Sequence, residues 1–366
     1  MKNVGIITFW DSKDNYGQLL QNFALIKFLE SLGFHAKLIR VENCVKKGAF
    51  YYMKKLLFFL VSPQKLYKKI LSEKIKHTTK IENQKHSRGF ETFREKNIPA
   101  TDYIHMSNLF LSPPPYDVFI TGSDQVWFSL FPLYYLQFAP PESKKIAYAA
   151  SMGGFKPAGK KMQTLRKLVK DFDYVSLREK QAYNYFIQNK ICAADYVPDP
   201  TLLLSKEDYK SLYEEQKFEK PYIFLYLLGN KLQFDVSQIY QYAQKKRLDV
   251  VYVASQGRSD SYTKQYPTIE EWLNLIEHAE MIVTNSFHGT CFSMIYRKKF
   301  MALLLNGVFA KMNDRITDML EKYGLSNRIF SESIDDCEKD IDYALFEKIT
   351  GEEKKYVAQK LKEVIG

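Results

Sequence analysis

Ile282-Val283-Thr284-Asn285-Ser286-Phe287-His288-Gly289-Thr290 is the stretch on which the fold reading turns. An apolar run breaks into small and polar residues. A second apolar pattern, Cys291, Phe292, Met294 and Ile295, then starts at helical spacing. The segment reads as a buried strand, a short turn and a helix, the unit of open parallel α/β sheets. In such sheets the turn lies at the carboxyl edge of the strands, where ligands bind. N–H groups at the start of the helix favour an anion, and His288 adds a group that moves protons near neutral pH. The same residue types also end strands and cap helices with no further role. Spacing alone leaves both readings open.

Outward from this turn the pattern repeats. Towards the N-terminus, Val4 to Phe9 reads as a strand, Leu19 to Leu32 as a helix stopped by Gly33, and His35 to Val41 as a second strand. Asp117 to Thr121, Lys145 to Ala150 and Tyr174 to Leu177 read as further strands, with helices at Lys160 to Asp171 and Glu179 to Gln188. Pro198, Pro200 and Pro221 bracket a change of domain. A second series follows, with strands at Tyr222 to Leu228, Asp249 to Ala254, Met281 to Thr284 and Phe300 to Leu305. Its helices are at Phe234 to Lys246, Ile269 to His278 and Arg315 to Tyr323. Alternation of this kind predicts parallel sheets in both halves. At 366 residues the chain exceeds what one core usually serves. The expected division is 1–205, 206–345 and a terminal helix over 346–366 that crosses back to the first domain.

Six short motifs stand in order along this frame. They are Asn15-Tyr16-Gly17-Gln18, Thr121-Gly122-Ser123-Asp124-Gln125-Val126-Trp127, Ser176-Leu177-Arg178-Glu179-Lys180, Asp199-Pro200-Thr201, the histidine turn itself, and Asn313-Asp314-Arg315-Ile316. The set resembles the polysaccharide pyruvyl transferase family over most of the chain. Many members carry an acidic residue after the N-terminal glycine, where this chain has Gln18. The resemblance implies a GT-B-like fold, two Rossmann-like domains facing a cleft. It also implies transfer of pyruvate from phosphoenolpyruvate to a sugar as a ketal, with no cofactor.

On that reading Arg178 and Arg315 bind the donor, because a planar guanidinium pairs two oxygens of a phosphate or carboxylate at once. Ser286, Phe287, Gly289 and Thr290 surround the donor from the turn. His288 moves protons as base or acid, and Asp124 is a second base or simply a helix cap. Asn15, Gly17, Gln18, Ser123 and Gln125 face the acceptor sugar. The alternatives are a GT-B glycosyltransferase using a nucleotide sugar and a non-catalytic membrane-associated scaffold.

Composition narrows the classes. Four cysteines, Cys44, Cys192, Cys291 and Cys337, form no Cys-x-x-Cys pair, which argues against structural zinc and for a reducing compartment. Lys2 leads straight into a strand pattern rather than a signal peptide, so a cytoplasmic location is expected. Gly154-Phe155-Lys156-Pro157-Ala158-Gly159-Lys160-Lys161 approaches a P-loop but has Lys161 where the Mg²⁺-binding hydroxyl belongs. Asp171-Phe172-Asp173 and Asp340-Ile341-Asp342 have metal-type spacing but are read as helix flanks, so no metal is assigned. Of the net charge of +11, an excess of ten falls within 46–96, where fourteen Lys and Arg face four Glu. Phe58, Phe59 and Leu60 sit among Lys54, Lys55, Lys65, Lys68 and Lys69. Basic segments with such an apolar face bind anionic membrane surfaces, and they equally form solvated helix faces. A lipid-linked acceptor at the inner face of the plasma membrane fits the first reading. No helix-turn-helix, RNP or zinc-finger pattern accompanies the charge, so nucleic acid is not an expected partner.

Overall fold

A computed structural model of the protein describes residues 1–42, 86–229, 232, 234–255, 257–258, 260–305 and 313–366. Its first sheet holds β1 (Asn3–Ile7), β2 (His35–Leu38), β5 (Val118–Thr121), β6 (Lys144–Ala150), β7 (Tyr174–Leu177) and β8 (Asp195–Tyr196). They lie in the order β2-β1-β5-β6-β7-β8, and every pairing is parallel. The second sheet holds β9 (Tyr222–Tyr226), β10 (Asp249–Val253), β11 (Met281–Thr284) and β12 (Lys299–Ala302) in the order β10-β9-β11-β12, again parallel. Strands β5, β9 and β11 are buried at every position. Continuous apolar runs of this kind belong to parallel sheets covered by helices on both faces. The two sheets form a GT-B-like pair of Rossmann-like domains.

Strand ends depart from the sequence reading where side chains replace the ladder. The expected strand at Tyr222 to Leu228 stops at Tyr226, because Asn285 takes over the next backbone pair: its Oδ1 accepts from Leu228 N at 2.6 Å and its Nδ2 donates to Leu228 O at 2.9 Å. Asn313 does the same for Leu305, at 2.8 and 2.7 Å. His35 to Val41 splits in two. Residues 99–101 bond to Leu38, and Val41–Glu42 (β3) instead pairs with Ile104–His105 (β4).

One aromatic cluster binds the halves together. Helix Tyr16–Ser31 is buried along most of its length. Tyr16 stacks on Trp272 at 5.2 Å, meets Tyr226 and Phe90 edge-on, and donates its hydroxyl to Pro267 O at 2.7 Å. The terminal helix Ala344–Ile365 touches both sheets' surroundings. Val364 O accepts from Lys144 Nζ at 2.6 Å, Tyr356 donates to Asp195 at 2.6 Å, and Phe346 meets Tyr323 edge-on.

Most of the basic segment 46–96, including Lys54, Lys55, Lys65, Lys68 and Lys69, lies outside the described residues. Within the described part, Arg88 and Arg94 turn inward and are no part of a free basic face. Arg88 donates to Ala254 O at 3.2 Å and lies over the Tyr266 ring, while Arg94 donates to Trp10 O and Ser12 O at 3.2 and 2.8 Å. Arg88 thus crosses to the second half, where a carbonyl and an aromatic face take its charge, while Arg94 stays within the first half and also pairs with the Glu91 carboxylate. No described helix is long and apolar enough to cross a membrane.

Candidate functional site

In each sheet the strand order reverses at one place, between β1 and β5 and between β9 and β11. Crevices open beyond the carboxyl ends of strands at such reversals. The loop after β1 carries Asn15 and the helix it leads into carries Gly17, the loop after β5 carries Ser123 and Asp124, and that after β7 carries Arg178. From the second sheet, the turn after β11 carries His288, and helix Asp314–Lys322 beyond β12 carries Arg315. Motifs far apart in the chain therefore meet where the two carboxyl edges face each other.

At the junction lies Asp199, the residue before the 3₁₀ turn Pro200–Leu203. Its Oδ1 accepts from Thr201 N at 3.0 Å and Thr201 Oγ1 at 2.7 Å. Its Oδ2 accepts from Ser123 Oγ at 2.9 Å and from Arg178 Nη1 at 2.6 Å, and faces His288 Nε2 at 3.7 Å. Burial by itself would raise this carboxyl. The facing His288, Arg178 and the Thr201 N–H outweigh it and hold Asp199 far below the usual carboxylate range. The Arg178 side chain is 1% exposed, and its Nη1 also donates to Ser123 Oγ at 3.2 Å. Burial works against its charge, but Asp199, then Glu179 and Asp124, more than restore it. Arg178 thus lies beneath Asp199 as a buried counter-charge.

His288 sits in the first turn of helix Phe287–Ile295, which Ser286 caps by accepting from Gly289 N at 3.2 Å. Ser286 N in turn donates to Thr284 Oγ1 at 3.0 Å, and Thr290 Oγ1 donates to Ser286 O at 3.0 Å. The hydroxyls of Thr284, Ser286 and Thr290 are therefore all engaged in building the turn. What the turn offers a ligand is the N–H groups of Phe287 and His288, which have no carbonyl four residues back within the helix. On its other side the His288 ring packs against Gly17. A Cβ at Gly17 would lie within the van der Waals envelope of the ring, with the His288 Cβ itself at 2.5 Å. Among the described residues, Arg178 Nε, Arg178 Nη2 and His288 Nε2 are covered and have no hydrogen-bond partner. Such atoms are costly unless a further group completes them.

Arg315 is half-buried and, like Arg178, lies within cation–π reach of Phe287, at 5.8 and 4.6 Å. Burial, and then the like charge of Arg178, disfavour its cationic form. An anion beside Arg315 would relieve both effects. Asp124 adopts a left-handed backbone, φ 59°, and its carboxylate accepts from Gln125 N at 2.8 Å while lying 4.0 Å from Arg178 Nη2. Gly122, two residues earlier, leaves room for Tyr148 O where any side chain would collide.

The acceptor-side residues divide. Gly17 and Ser123 belong to the cluster, but Ser123 is wholly buried, so its hydroxyl supports Asp199 and Arg178 and reaches no open surface. Asn15 Oδ1 caps its helix by accepting from Gln18 N at 3.2 Å, and Gln18 Oε1 accepts from Ser12 N at 2.9 Å, which fixes the loop. Gln125 packs beside Gly153. Two residues absent from the sequence-based site belong to it. Asp199 stood in the sequence only within the motif Asp199-Pro200-Thr201, with no role of its own. Glu179 accepts from Ser151 Oγ and from Met152 N at 3.3 Å and lies 3.8 Å from Arg178 Nε. Of the Asp-x-Asp spacings, Asp173 accepts from Lys145 N and Asp340 pairs with Lys299.

A family model described as polysaccharide pyruvyl transferase matches residues 15–306, from the Asn15 cap past the His288 turn. Arg315 lies beyond that span. No curated protein matches. Among solved structures the chain is similar to a putative UDP-N-acetylglucosamine 2-epimerase from Listeria monocytogenes, at 8% identity over 98% of this chain and 94% of that one, with a TM-score of 0.50. UDP-N-acetylglucosamine 2-epimerase from Rickettsia bellii gives 12%, 100%, 96% and 0.48. UDP-GlcNAc 2-epimerase from Methanocaldococcus jannaschii gives 12%, 92%, 90% and 0.47. At such identities the likeness speaks to the fold alone.

Proposed function

The chain belongs to the polysaccharide pyruvyl transferase family, and on that premise we propose that it moves pyruvate from phosphoenolpyruvate onto two hydroxyls of one sugar. The sugar belongs to a surface polysaccharide or its lipid-linked precursor. The observation that carries this reading is His288, facing an ionised Asp199 where the two carboxyl edges meet, with Arg315 and a helix start beside it.

Phosphoenolpyruvate is strongly anionic. Arg315 and the N–H groups of Phe287 and His288 receive its phosphate or carboxylate. Arg178 holds Asp199 and adds positive potential from beneath. In the first step one sugar hydroxyl oxygen bonds to the carbon that bears the phosphate, and the methylene carbon gains a proton and becomes a methyl. In the second step the other hydroxyl oxygen bonds to the same carbon as the C–O bond to phosphate breaks. Of the two hydroxyl protons, one is balanced by the new methyl and the other leaves on inorganic phosphate. His288 carries protons between these sites, as base to a hydroxyl or acid to the phosphate. Asp199 is its positioning residue. Asp124 is the second carboxylate within reach of the acceptor.

The test is phosphate release from phosphoenolpyruvate in the presence of glycosides or lipid-linked sugars, with mass detection of a product heavier by pyruvate less water. Release that requires the sugar is the expected result. His288→Ala, folded as wild type, should lower turnover by roughly 10²–10⁴-fold. Tight binding of a nucleotide sugar with no phosphate release would overturn the reading in favour of a glycosyltransferase.

A further inference from the structure

Beyond β1 of the first sheet lies a hollow of about 80 Å³ between the loop after β1 and the segment around Tyr134. Phe9, Trp10 and Tyr134 wall it, Ile39 and Val41 close its back, and Asp11 stands exposed at its rim. Phe9 meets Tyr134 edge-on at 5.1 Å, and Trp10 leans on the exposed ring of Tyr103 at 5.6 Å. This aromatic wall is held in place. Arg94 Nη1 donates to the carbonyls of Trp10 and Ser12, and Thr8 Oγ1, in the hollow's lining, donates to Ser123 O at 3.2 Å. The hollow is therefore hydrogen-bonded to the residue that precedes Asp124. Burial raises the Tyr134 hydroxyl, and the carboxylates of Asp11 and Asp124 raise it further.

We infer that this hollow is a sugar-stacking subsite, in which a pyranose of the acceptor chain lies against Trp10 and Tyr134 with a hydroxyl on the Asp11 carboxylate. It rests on the reading of the neighbouring site as one that takes a sugar. A pyranose has one face of C–H bonds and a rim of hydroxyls. The C–H face suits the electron-rich face of an aromatic ring, and the rim suits a carboxylate acceptor. Trp and Tyr supply this contact at low cost in conformational entropy, more so when the loop is already clamped. A polyprenyl chain fits poorly, because the exposed carboxylate of Asp11 at the rim would have to lose water.

Trp10 makes the subsite observable without turnover. Of the three tryptophans, Trp127 and Trp272 are completely buried, and Trp10 is half-exposed. The intact chain is titrated with a panel of methyl hexopyranosides and short oligosaccharides, without phosphoenolpyruvate, following tryptophan emission and, in parallel, calorimetry. A saturable emission change is expected for at least one sugar. Trp10→Phe should abolish that change and keep most of the affinity, while Trp10→Ala should weaken binding about tenfold. Circular dichroism checks that both variants are folded. Unchanged calorimetric affinity in Trp10→Ala would overturn the inference. So would a wild-type protein that binds none of the sugars, or one whose emission responds to farnesyl phosphate and to no sugar. Because no donor is present, failure of pyruvyl transfer would not mimic any of these results.

Discussion

Gly17→Ala probes the contact on which the site depends, because it adds one methyl between the two halves. Gly17 lies in the first turn of helix Tyr16–Ser31 and is not among the glycines with positive φ, so alanine can adopt its backbone. In a helix interior that exchange gains roughly 0.5–1 kcal/mol. Here the new Cβ would overlap the His288 ring, and relief requires the ring or its helix to retreat by roughly 1 Å. Overpacking of this kind costs about 1–3 kcal/mol. A net loss of about 1 kcal/mol in urea unfolding is therefore expected. The catalytic loss should be larger, since about 1 Å of misplacement can cost on the order of 10²-fold in rate. A second background isolates the cause. His288→Ala does not clear the overlap, because the His288 Cβ itself lies at 2.5 Å. His288→Gly does. In that background Gly17→Ala should turn neutral or stabilising, a coupling of about 1–2 kcal/mol between residues on helices of different halves. Gly17→Ala with wild-type turnover would refute the packing argument, as would the same stability cost in both backgrounds.

Asp199→Asn keeps the shape but leaves Arg178 buried with only its more distant carboxylates, Glu179 and Asp124. Breaking a buried pair costs about 3–5 kcal/mol, and these neighbours should reduce that to about 2–3 kcal/mol in equilibrium unfolding. The pH dependence carries a sign. The folded Asp199 carboxyl is held below its unfolded value, so its stabilisation is present above about pH 4 and is lost as pH falls below it. The variant's stability should therefore fall less steeply on the acid side, and parallel acid curves would contradict this. Arg315→Lys should raise the KM for phosphoenolpyruvate several-fold, because a point charge replaces the fork. Arg178→Lys should instead lower stability by about 1–3 kcal/mol through its lost bonds to Asp199 and Ser123, and a donor KM effect confined to Arg178→Lys would reverse these assignments. Replacing Lys54, Lys55, Lys68 and Lys69 by Gln should weaken salt-sensitive binding to anionic vesicles, at roughly 1 kcal/mol per charge near the surface. Sedimentation with vesicles at low salt reads this, and wild-type protein that stays in solution would refute it.

Local chemistry was legible in the sequence by itself. Strands buried on both faces are predominantly apolar, so β5, β9 and β11 showed as apolar runs, two of them closed by a buried Thr. Helix starts announce themselves through short polar side chains, and Ser286 and Asn15 cap their helices through their own oxygens. A parallel sheet puts its loops at one edge, so motifs after successive strands were bound to face one crevice. Partnership between distant charges was not legible, because an ion pair depends on separation in space and carries no periodicity along the chain. Arg178 read as a donor-binding cation, whereas the fold buries it against Asp199, and Asp199 itself stood in a short motif without an assigned partner. Arg88 and Arg94 counted as surface charge, whereas carbonyls of other segments, and for Arg94 also Glu91 on its own helix, take them in. The requirement for glycine at position 17 exists only because His288, from the other sheet, fills the space where a side chain would stand.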